Sequence, residues 1–154
     1  MILHVLKPDA EDFEKLTDIC LKSNQHWGYP DYLIDLWIDK LTITPRYIRN
    51  HNIVKIQNEN NEILGFGSID SLNGNGVLEI NHLWVLPEYM DKNIGKLLLE
   101  HLESKAGDQK VIKVVTDPNA MPFYQRFGYQ KVGEERSKPD GRRLPIMKKI
   151  IKRK

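Results

Sequence analysis

The chain is organised around one patterned stretch, from Leu78 to Ala106. Its first part, Leu78 to Leu86, is rich in aliphatic and aromatic residues and predicts a buried strand. Pro87 ends that strand, because proline cannot donate to a sheet ladder. After a polar turn from Glu88 to Asn93, apolar residues recur at helical spacing and predict an amphipathic helix. The side of this helix expected to be apolar carries Ile94, Leu97, Leu98, His101 and Leu102.

The remaining pattern predicts a βααβββαβαββ order of elements. A first strand at Ile2–Leu6 precedes a helix from Ala10, a polar loop over Ser23–Tyr29 and a second helix over Asp31–Lys40. Thr44 and Pro45 indicate one more helical turn. The other predicted elements are strands at Asn52–Gln57, Ile63–Ser71, Lys110–Thr116, Tyr129–Glu135 and Leu144–Ile151, turns at Asn58–Glu62 and Asn73–Gly76, and a short helix from Pro118 to Phe127 that ends at Gly128.

The composition favours one globular domain over residues 1–154. Hydrophobic residues make up 40% and charged residues 29% of the 154 positions. No apolar run approaches the roughly 20 residues of a membrane span, so we expect no membrane partner. The N-terminus predicts a strand and not a signal peptide. A lone Cys20, expected to be a small buried side chain, favours a reducing, cytoplasmic setting.

The net charge of +2 is too small to imply nucleic-acid binding by itself. Basic residues nevertheless crowd the segment from about residue 142 to residue 154. A solvated strand edge and tail explains them, and a patch for nucleic acid or an acidic membrane is the alternative. The residues concerned are Arg142, Arg143, Lys148, Lys149, Lys152, Arg153 and Lys154.

The junction between the buried strand and its helix has the chemistry of an anion site. The first turn of a helix leaves backbone N–H groups unpaired, and together with the helix dipole they attract phosphate. Gly95 permits close approach to the backbone, and Lys96 adds positive charge.

This junction resembles the acyl-CoA pyrophosphate loop of the GNAT N-acetyltransferases, written Arg/Gln-x-x-Gly-x-Gly/Ala. The match consists of Val85-x-Pro87 followed by Met90 to Lys96. Met90 replaces the usual Arg or Gln, and Asn93 replaces the first Gly. Main-chain N–H groups still hold phosphate, and Asn tolerates a positive φ, so we expect weaker coenzyme binding and not a lost site.

A second segment, Asp117 to Tyr129, resembles the later signature of the same family, Ala-x-x-Phe-Tyr-x-x-x-Gly-Phe/Tyr. The resemblance implies an α/β (α+β) acyl-CoA N-acyltransferase fold: a mixed, mostly antiparallel, twisted sheet of about seven strands with helices on both faces. It also implies a cleft where the central strand splays from the next one and pantetheine lies like an extra strand.

By the same resemblance, acetyl-CoA is the co-substrate, and no metal is expected. The backbone N–H of Val85 is the implied oxyanion donor. Asn119 is the implied partner of the pantetheine amides, although Asp117 or Asn119 could instead cap the helix. The residues implied to bind the coenzyme are Leu83, Trp84, Val85, Met90, Asp91, Lys92, Asn93, Ile94, Gly95, Lys96, Asn119 and Phe123.

Three residues are candidates for the acid–base chemistry. Tyr124 occupies the position of the family's general acid, and a phenol can protonate a departing thiolate. Glu79 has the spacing of the glutamate base in histone-acetylating members, and His82 is the alternative base. Each has a structural alternative: an aromatic packed on a helix, a surface glutamate and a hydrogen-bonded sheet histidine.

We expect the amine acceptor to be a small molecule or a peptide. Trp27, Tyr29 and Tyr32 are candidates to bind it, with Asp31, Asp35 and Asp39 nearby, because aromatic and acidic groups attract a cationic amine. The alternative is that Trp37 and Tyr32 lie in the core while the aspartates face water.

We therefore predict an N-acetyltransferase that works by direct attack in a ternary complex. A non-catalytic acyl-CoA sensor on the same fold is the alternative. A homodimer is an expectation from the family, and nucleic-acid binding is a third hypothesis that a steep salt dependence would reveal.

Overall fold

The computed structural model describes residues 1–72, 74–107 and 110–152. Within them the chain forms a mixed, mostly antiparallel, seven-stranded sheet of order β1-β2-β3-β4-β5-β7-β6, with helices. The predicted fold class is confirmed. Asn73, Arg153 and Lys154 lie outside the described residues. The strands are β1 (Leu3–Leu6), β2 (Ile53–Asn58), β3 (Ile63–Leu72), β4 (Val77–Val85), β5 (Lys110–Val115), β6 (Gln130–Arg136) and β7 (Arg143–Ile151).

The helices are short except for two. They are α1 (Phe13–His26), α2 (Asp31–Leu36), α3 (Ile38–Leu41), α4 (Pro45–Asn50), α5 (Ile94–Glu103) and α6 (Met121–Arg126). Thr44 caps α4 by accepting a hydrogen bond from the backbone N–H of Tyr47, as its sequence predicts. In the part of the chain that the structure describes, no helix has both the length and the hydropathy to cross a membrane.

The chain divides into two compact units. One consists of Met1–Ile69 and His82–Leu102, and the other of Asp70–Asn81 and Glu103–Lys154. Strands β3 and β4 each contribute residues to both units, because the divisions fall within them.

The core of the first unit is apolar and contains residues from α1, α2, α3 and α4 with strands β2 and β3. Cys20 is fully buried in it, and burial raises the pKa of its thiol, so it serves as the expected small core residue. Other members include Leu16, Ile19, Ile34, Ile48 and Phe66.

The polar loop predicted from Ser23 onward is wrong for its first residues, because α1 continues to His26. Ser23 and Asn24 are buried, and each finds a hydrogen-bond partner there. The Ser23 hydroxyl donates to the carbonyl oxygen of Val85 at 2.9 Å, and the Asn24 amide donates to the carbonyl oxygen of Cys20 at 2.8 Å. These bonds satisfy polar groups whose composition alone favours a loop.

The single helix predicted over Asp31–Lys40 is interrupted at Trp37, which separates α2 from α3. Trp37 is 5% exposed, and its ring lies edge-on against Tyr29 with centroids 5.0 Å apart. The interpretation of Trp37 as a core residue is confirmed. The same interpretation is wrong for Tyr32, because the Tyr32 side chain is 66% exposed and does not lie in the core.

Helix α5 packs on two glycines of β3. Its buried residues are Ile94, Leu98, Leu99 and Leu102. The predicted apolar side omitted Leu99 and included Leu97 and His101, which are only half-buried. A side chain at Gly65 or Gly67 would meet Leu98 or Leu102 of α5, which explains why glycine occupies both positions.

In the second unit, β5 pairs in parallel with β4 and antiparallel with β7, and β7 pairs antiparallel with β6. The parallel pairing of the strand after α5 is as predicted. Helix α6 follows a 3-10 turn at Pro118–Ala120, and Gly128 lies just beyond its end with φ +93°. The predicted helix end at Gly128 is therefore confirmed.

Candidate functional site

The turn between β4 and α5 is compact and ends in a left-handed residue. Its backbone is closed by hydrogen bonds from the N–H of Tyr89 to the Leu86 carbonyl at 2.9 Å and from the N–H of Lys92 to the Tyr89 carbonyl at 3.2 Å. Asn93 then has φ 61°, immediately before α5 begins at Ile94. Asparagine is the non-glycine side chain best suited to this conformation, as the sequence indicated.

The start of α5 has the properties of an anion site. The side chain of Ile94 is fully buried and anchors the first turn, while the side chains of Lys92 and Lys96 are exposed on either side of it. The first N–H groups of any α-helix lack intrahelical acceptors, and the helix dipole adds partial positive charge. Two lysines and these N–H groups together suit a phosphate or diphosphate.

Strand β4 extends beyond the residues that pair with β5. The parallel register joins Val77–Ile80 to Val111–Val114, and β4 then runs on to Val85. Its last residues include Leu83, Trp84 and Val85, the predicted coenzyme strand. The carbonyl oxygen of Val85 already accepts a hydrogen bond from Ser23. Other backbone groups of this extension can pair with an extended ligand.

His82 lies in an aromatic cluster of the first unit. The indole N–H of Trp84 donates to Nδ1 of His82 at 2.9 Å, and the ring of Tyr47 stands edge-on to it at 5.4 Å. Burial, and to a lesser extent repulsion from His51, lowers the pKa of His82 to about 4. A neutral imidazole that accepts at Nδ1 carries its proton on Nε2, which leaves no free basic nitrogen while the Trp84 bond persists.

Sequence reasoning missed the other members of this cluster. The hydroxyl groups of Tyr47 and Ser68 share a hydrogen bond of 2.8 Å, and His51 stacks on Tyr47 with ring centroids 3.9 Å apart. Ser68 is fully buried. A lone hydroxyl within the apolar run of β3 was the available signal, since a buried polar group requires a partner.

We expect His82 to make the protein acid-sensitive. The folded protein holds His82 neutral at pH values where the unfolded chain binds a proton. The free energy of unfolding therefore decreases as pH falls from 6.5 towards 4. Between about pH 7 and about pH 5.5 this costs about 1 kcal/mol. Denaturant unfolding measures the free energy of unfolding at the two pH values. The decrease between them should be larger by that amount in the wild type than in His82→Gln. Exposed His4→Gln serves as the control, and equal pH slopes for all three proteins would contradict the expectation.

The three aromatic residues proposed for the acceptor have different environments. Trp27 is 37% exposed and lies edge-on to the ring of His26, while Tyr29 packs against Trp37 of the core. Tyr32 is largely exposed, as are the nearby side chains of Asp31, Asp35 and Asp39. The alternative in which the aspartates face water is therefore confirmed.

Glu79 lies in the second unit, within the paired part of β4. It stands opposite Lys113 of β5 in the parallel register, and the two side chains form an ion pair at 3.6 Å. The side chain of Glu79 is about one quarter exposed, so it is neither a free surface glutamate nor a fully buried one. A carboxylate with partial access to solvent can receive a proton directly or through water.

Tyr124 is 4% exposed and surrounded by aromatic rings of the second unit. Its ring is edge-on to Phe123 at 5.1 Å and to Tyr129 at 5.5 Å. Burial raises the pKa of Tyr124, so its phenol stays protonated at neutral pH. A protonated hydroxyl is the form that a general acid requires.

Asn119 lies in the 3-10 turn before α6, and Asp117 caps that turn. One carboxylate oxygen of Asp117 accepts hydrogen bonds from the Asn119 backbone N–H at 2.8 Å and from the Asn119 side-chain amide at 2.9 Å. Asp117 thus caps the 3-10 turn at Pro118–Ala120 that leads into α6, and capping by Asp117 is one of the two arrangements that the sequence left open. Phe123 is half-buried between Tyr124 and Phe127.

The sequence matches a known protein family over most of its length. A model of the acetyltransferase (GNAT) domain matches residues 39–151. No curated protein matches the sequence.

Solved structures with the same fold cover nearly the whole chain. PaiA N-acetyltransferase from Thermoplasma acidophilum, in complex with coenzyme A, is 22% identical, with a TM-score of 0.74, covering 98% of this chain and 100% of that one. N-acetylglutamate synthase from Neisseria gonorrhoeae, complexed with coenzyme A and N-acetyl-glutamate, is 17% identical, with a TM-score of 0.74, covering 99% of this chain and 36% of that one. A GNAT-family acetyltransferase from Staphylococcus aureus Mu50 is 16% identical, with a TM-score of 0.72, covering 98% and 100%. At these identities the likeness establishes the fold.

Proposed function

The chain belongs to the GNAT acetyltransferase family, and from this premise we propose that it moves an acetyl group from acetyl-CoA to a primary amine of a small molecule or a protein. The observation that carries the proposal is the junction at Asn93, where a left-handed residue turns the end of β4 into the N-terminus of α5. Coenzyme A in the structures of PaiA and N-acetylglutamate synthase supports an acyl-CoA ligand for this fold.

In this proposal the coenzyme diphosphate binds at the start of α5. Backbone N–H groups of the first turn donate to its oxygens, and Lys92 and Lys96 supply positive charge. Met90 and Asp91 complete the turn. The pantetheine arm pairs with the backbone of Leu83–Val85, beyond the last register pair of β4 with β5.

The proposed chemistry is one direct displacement. The nitrogen of the neutral amine attacks the acetyl carbonyl carbon, the C–N bond forms and the C–S bond breaks. Glu79 accepts the proton that the amine loses, directly or through water, and Tyr124 gives its proton to the departing thiolate. The Val85 N–H stabilises the carbonyl oxygen as it becomes negative. Glu79 is preferred to His82 as the base, because Nδ1 of His82 is occupied by Trp84.

A thiol-release assay tests the proposal. Acetyl-CoA is offered with a panel of benzylamine, spermidine, free amino acids and lysine-containing peptides. Thiol release that depends on one of these amines supports acetyl transfer. Calorimetric binding of acetyl-CoA without release for any amine would favour the alternative of a non-catalytic acyl-CoA module, which the Met90 departure from the family loop makes worth testing.

Substitutions at Asn93 should separate the conformation of the loop from its side chain. Asn93→Gly keeps the positive φ without strain, and we expect its affinity for acetyl-CoA to match or exceed that of the wild type. Asn93→Val places a β-branched residue in a left-handed conformation, which costs about 1–2 kcal/mol. If the free loop relieves this strain by leaving the left-handed conformation, binding must restore it, and we therefore expect about tenfold weaker binding by isothermal titration calorimetry.

The two Asn93 variants serve as each other's control, because both remove the same amide side chain. Equal affinities for Asn93→Gly and Asn93→Val would contradict the importance of the positive φ. Loss of affinity in both would instead assign the contribution to the amide group.

A further inference from the structure

The C-terminal end of α6 joins Tyr124 to a second tyrosine. The N–H of Gly128 donates to the Gln125 carbonyl at 3.2 Å, and the N–H of Tyr129 donates to the Tyr124 carbonyl at 3.0 Å. This pair of bonds, with Gly128 at φ +93°, is a Schellman motif. In that motif the residue after the glycine packs on the residue whose carbonyl it binds. Here the rings of Tyr129 and Tyr124 meet at 5.5 Å.

Tyr129 is in turn fixed by an ionic pair from two other elements. Its hydroxyl donates to Glu103 Oε2 at 2.8 Å, at the end of α5. Lys149 Nζ of β7 lies 3.1 Å from the same oxygen and 5.6 Å from the centre of the Tyr129 ring. Tyr129 is only 2% exposed, while the side chains of Lys149 and Glu103 are 27% and 16% exposed, so the tyrosine end of the network is the part buried from water.

The direction of the tyrosine–glutamate bond is set by protonation. Burial, the charge of Glu103 and the hydrogen bond to it all raise the pKa of Tyr129, which keeps the hydroxyl protonated as a donor. Glu103 therefore accepts from Tyr129 while it pairs with Lys149. A hydrogen bond to a charged group is stronger than a neutral one.

We propose that Tyr129, held by Glu103 and Lys149, is a positioning residue that fixes the ring of Tyr124 for proton donation. This proposal rests on the proposed function, in which Tyr124 is the general acid. Helix α6 spans only Met121–Arg126, so its own hydrogen bonds give Tyr124 limited support. A small displacement of an acid from its reacting atom is costly, up to about 100-fold for 1 Å.

The test is a double-mutant cycle in kcat, measured with acetyl-CoA and the panel amine that turns over fastest. Tyr129→Phe removes the hydroxyl and leaves the ring. We expect it to lower kcat about tenfold, with little change in the KM for acetyl-CoA. In a Tyr124→Phe background the same change should have almost no effect on kcat, because no acid remains to be positioned.

A matched pair on α5 gives a second comparison. Glu103→Ala should lower kcat as Tyr129→Phe does, while Glu103→Gln, which can still accept from the Tyr129 hydroxyl, should keep more of it. Glu100→Ala changes an exposed glutamate of the same helix and should leave kcat unchanged.

A readout independent of turnover completes the experiment. In protein labelled with 3-fluorotyrosine, the Tyr124 fluorine signal is identified by its loss in Tyr124→Phe. We expect that signal to shift and broaden in Glu103→Ala and to stay in place in Glu100→Ala. An unchanged signal in Glu103→Ala would overturn the positioning role, even if no panel amine were a substrate.

The two proposals fail in different ways. Wild-type kcat in Tyr124→Phe overturns the acid role. A loss in Tyr124→Phe without any loss in Tyr129→Phe overturns the positioning role alone. Equal losses from Tyr129→Phe in both backgrounds also overturn it, because they would show an effect that does not pass through Tyr124.

Discussion

Replacing Tyr124 with phenylalanine is expected to lower kcat by about 100-fold while leaving the affinity for acetyl-CoA nearly unchanged. General acid catalysis contributes about 10²- to 10⁴-fold, and the low end applies because a thiolate leaves more readily than an alkoxide. The Phe ring preserves the edge-on contacts with Phe123 and Tyr129, so only the hydroxyl is lost. The measurements are kcat from thiol release and Kd from calorimetry.

The pH dependence of this effect follows from burial. Since burial raises the pKa of Tyr124, the phenol keeps its proton above neutral pH, and the wild-type rate should not decline there through this residue. Full retention of kcat in Tyr124→Phe would contradict the acid role. If the thermal midpoint of Tyr124→Phe fell to the assay temperature, the loss of activity would instead be assigned to unfolding.

The parts of the site that the sequence predicted are governed by local rules. Asn93 could be assigned a positive φ and Gly128 a helix end, because few residue types tolerate those conformations. Both assignments need only the neighbouring residues. The cap before α6 was narrowed to Asp117 or Asn119 for the same reason.

The parts that escaped prediction depend on contacts between distant residues. Tyr47 meets Ser68 across 21 positions of sequence, and Tyr129 meets Glu103 across 26. The extension of α1 through Ser23 depends on the Val85 carbonyl, 62 positions away. Polar residues favour loops in isolation, and only the folded chain supplies the partners that bury them.

The choice between the two predicted bases illustrates the same limit. Glu79 and His82 were both credible from residue type and spacing, since each can accept a proton. What distinguishes them is the environment: Glu79 pairs with Lys113, whereas Trp84 occupies Nδ1 of His82. The resemblance placed Glu79 first and His82 second by spacing and residue type. Neither partner lies in a motif, so the sequence could not show the environments that distinguish the two candidates.

Replacing Gly65 with alanine is expected to lower the free energy of unfolding by about 3 kcal/mol, at the upper end of the usual cost of overpacking. The added Cβ would lie 2.8 Å from the carbonyl oxygen of Trp84 and 3.2 Å from Leu98 Cδ1. A backbone carbonyl cannot move without displacing β4. For a chain of this size such a loss lowers the thermal midpoint by roughly 6–12 °C.

Alanine substitutions at two other strand glycines test whether the loss of stability follows the closeness of the contacts. At Gly67 an added Cβ would lie 2.9 Å from the flexible end of Leu102 and 3.1 Å from the carbonyl oxygen of His82. The backbone contact is less severe than the 2.8 Å contact at Gly65, so Gly67→Ala should cost less than Gly65→Ala. At Gly133 the nearest atom is 3.8 Å away, and Gly133→Ala should change stability by less than about 0.5 kcal/mol. Thermal unfolding of the three variants checks this order. Equal midpoints would contradict the claim that close packing at these glycines stabilises the fold. The position of α5, whose start forms the proposed diphosphate site, would then not depend on its close approach to β3.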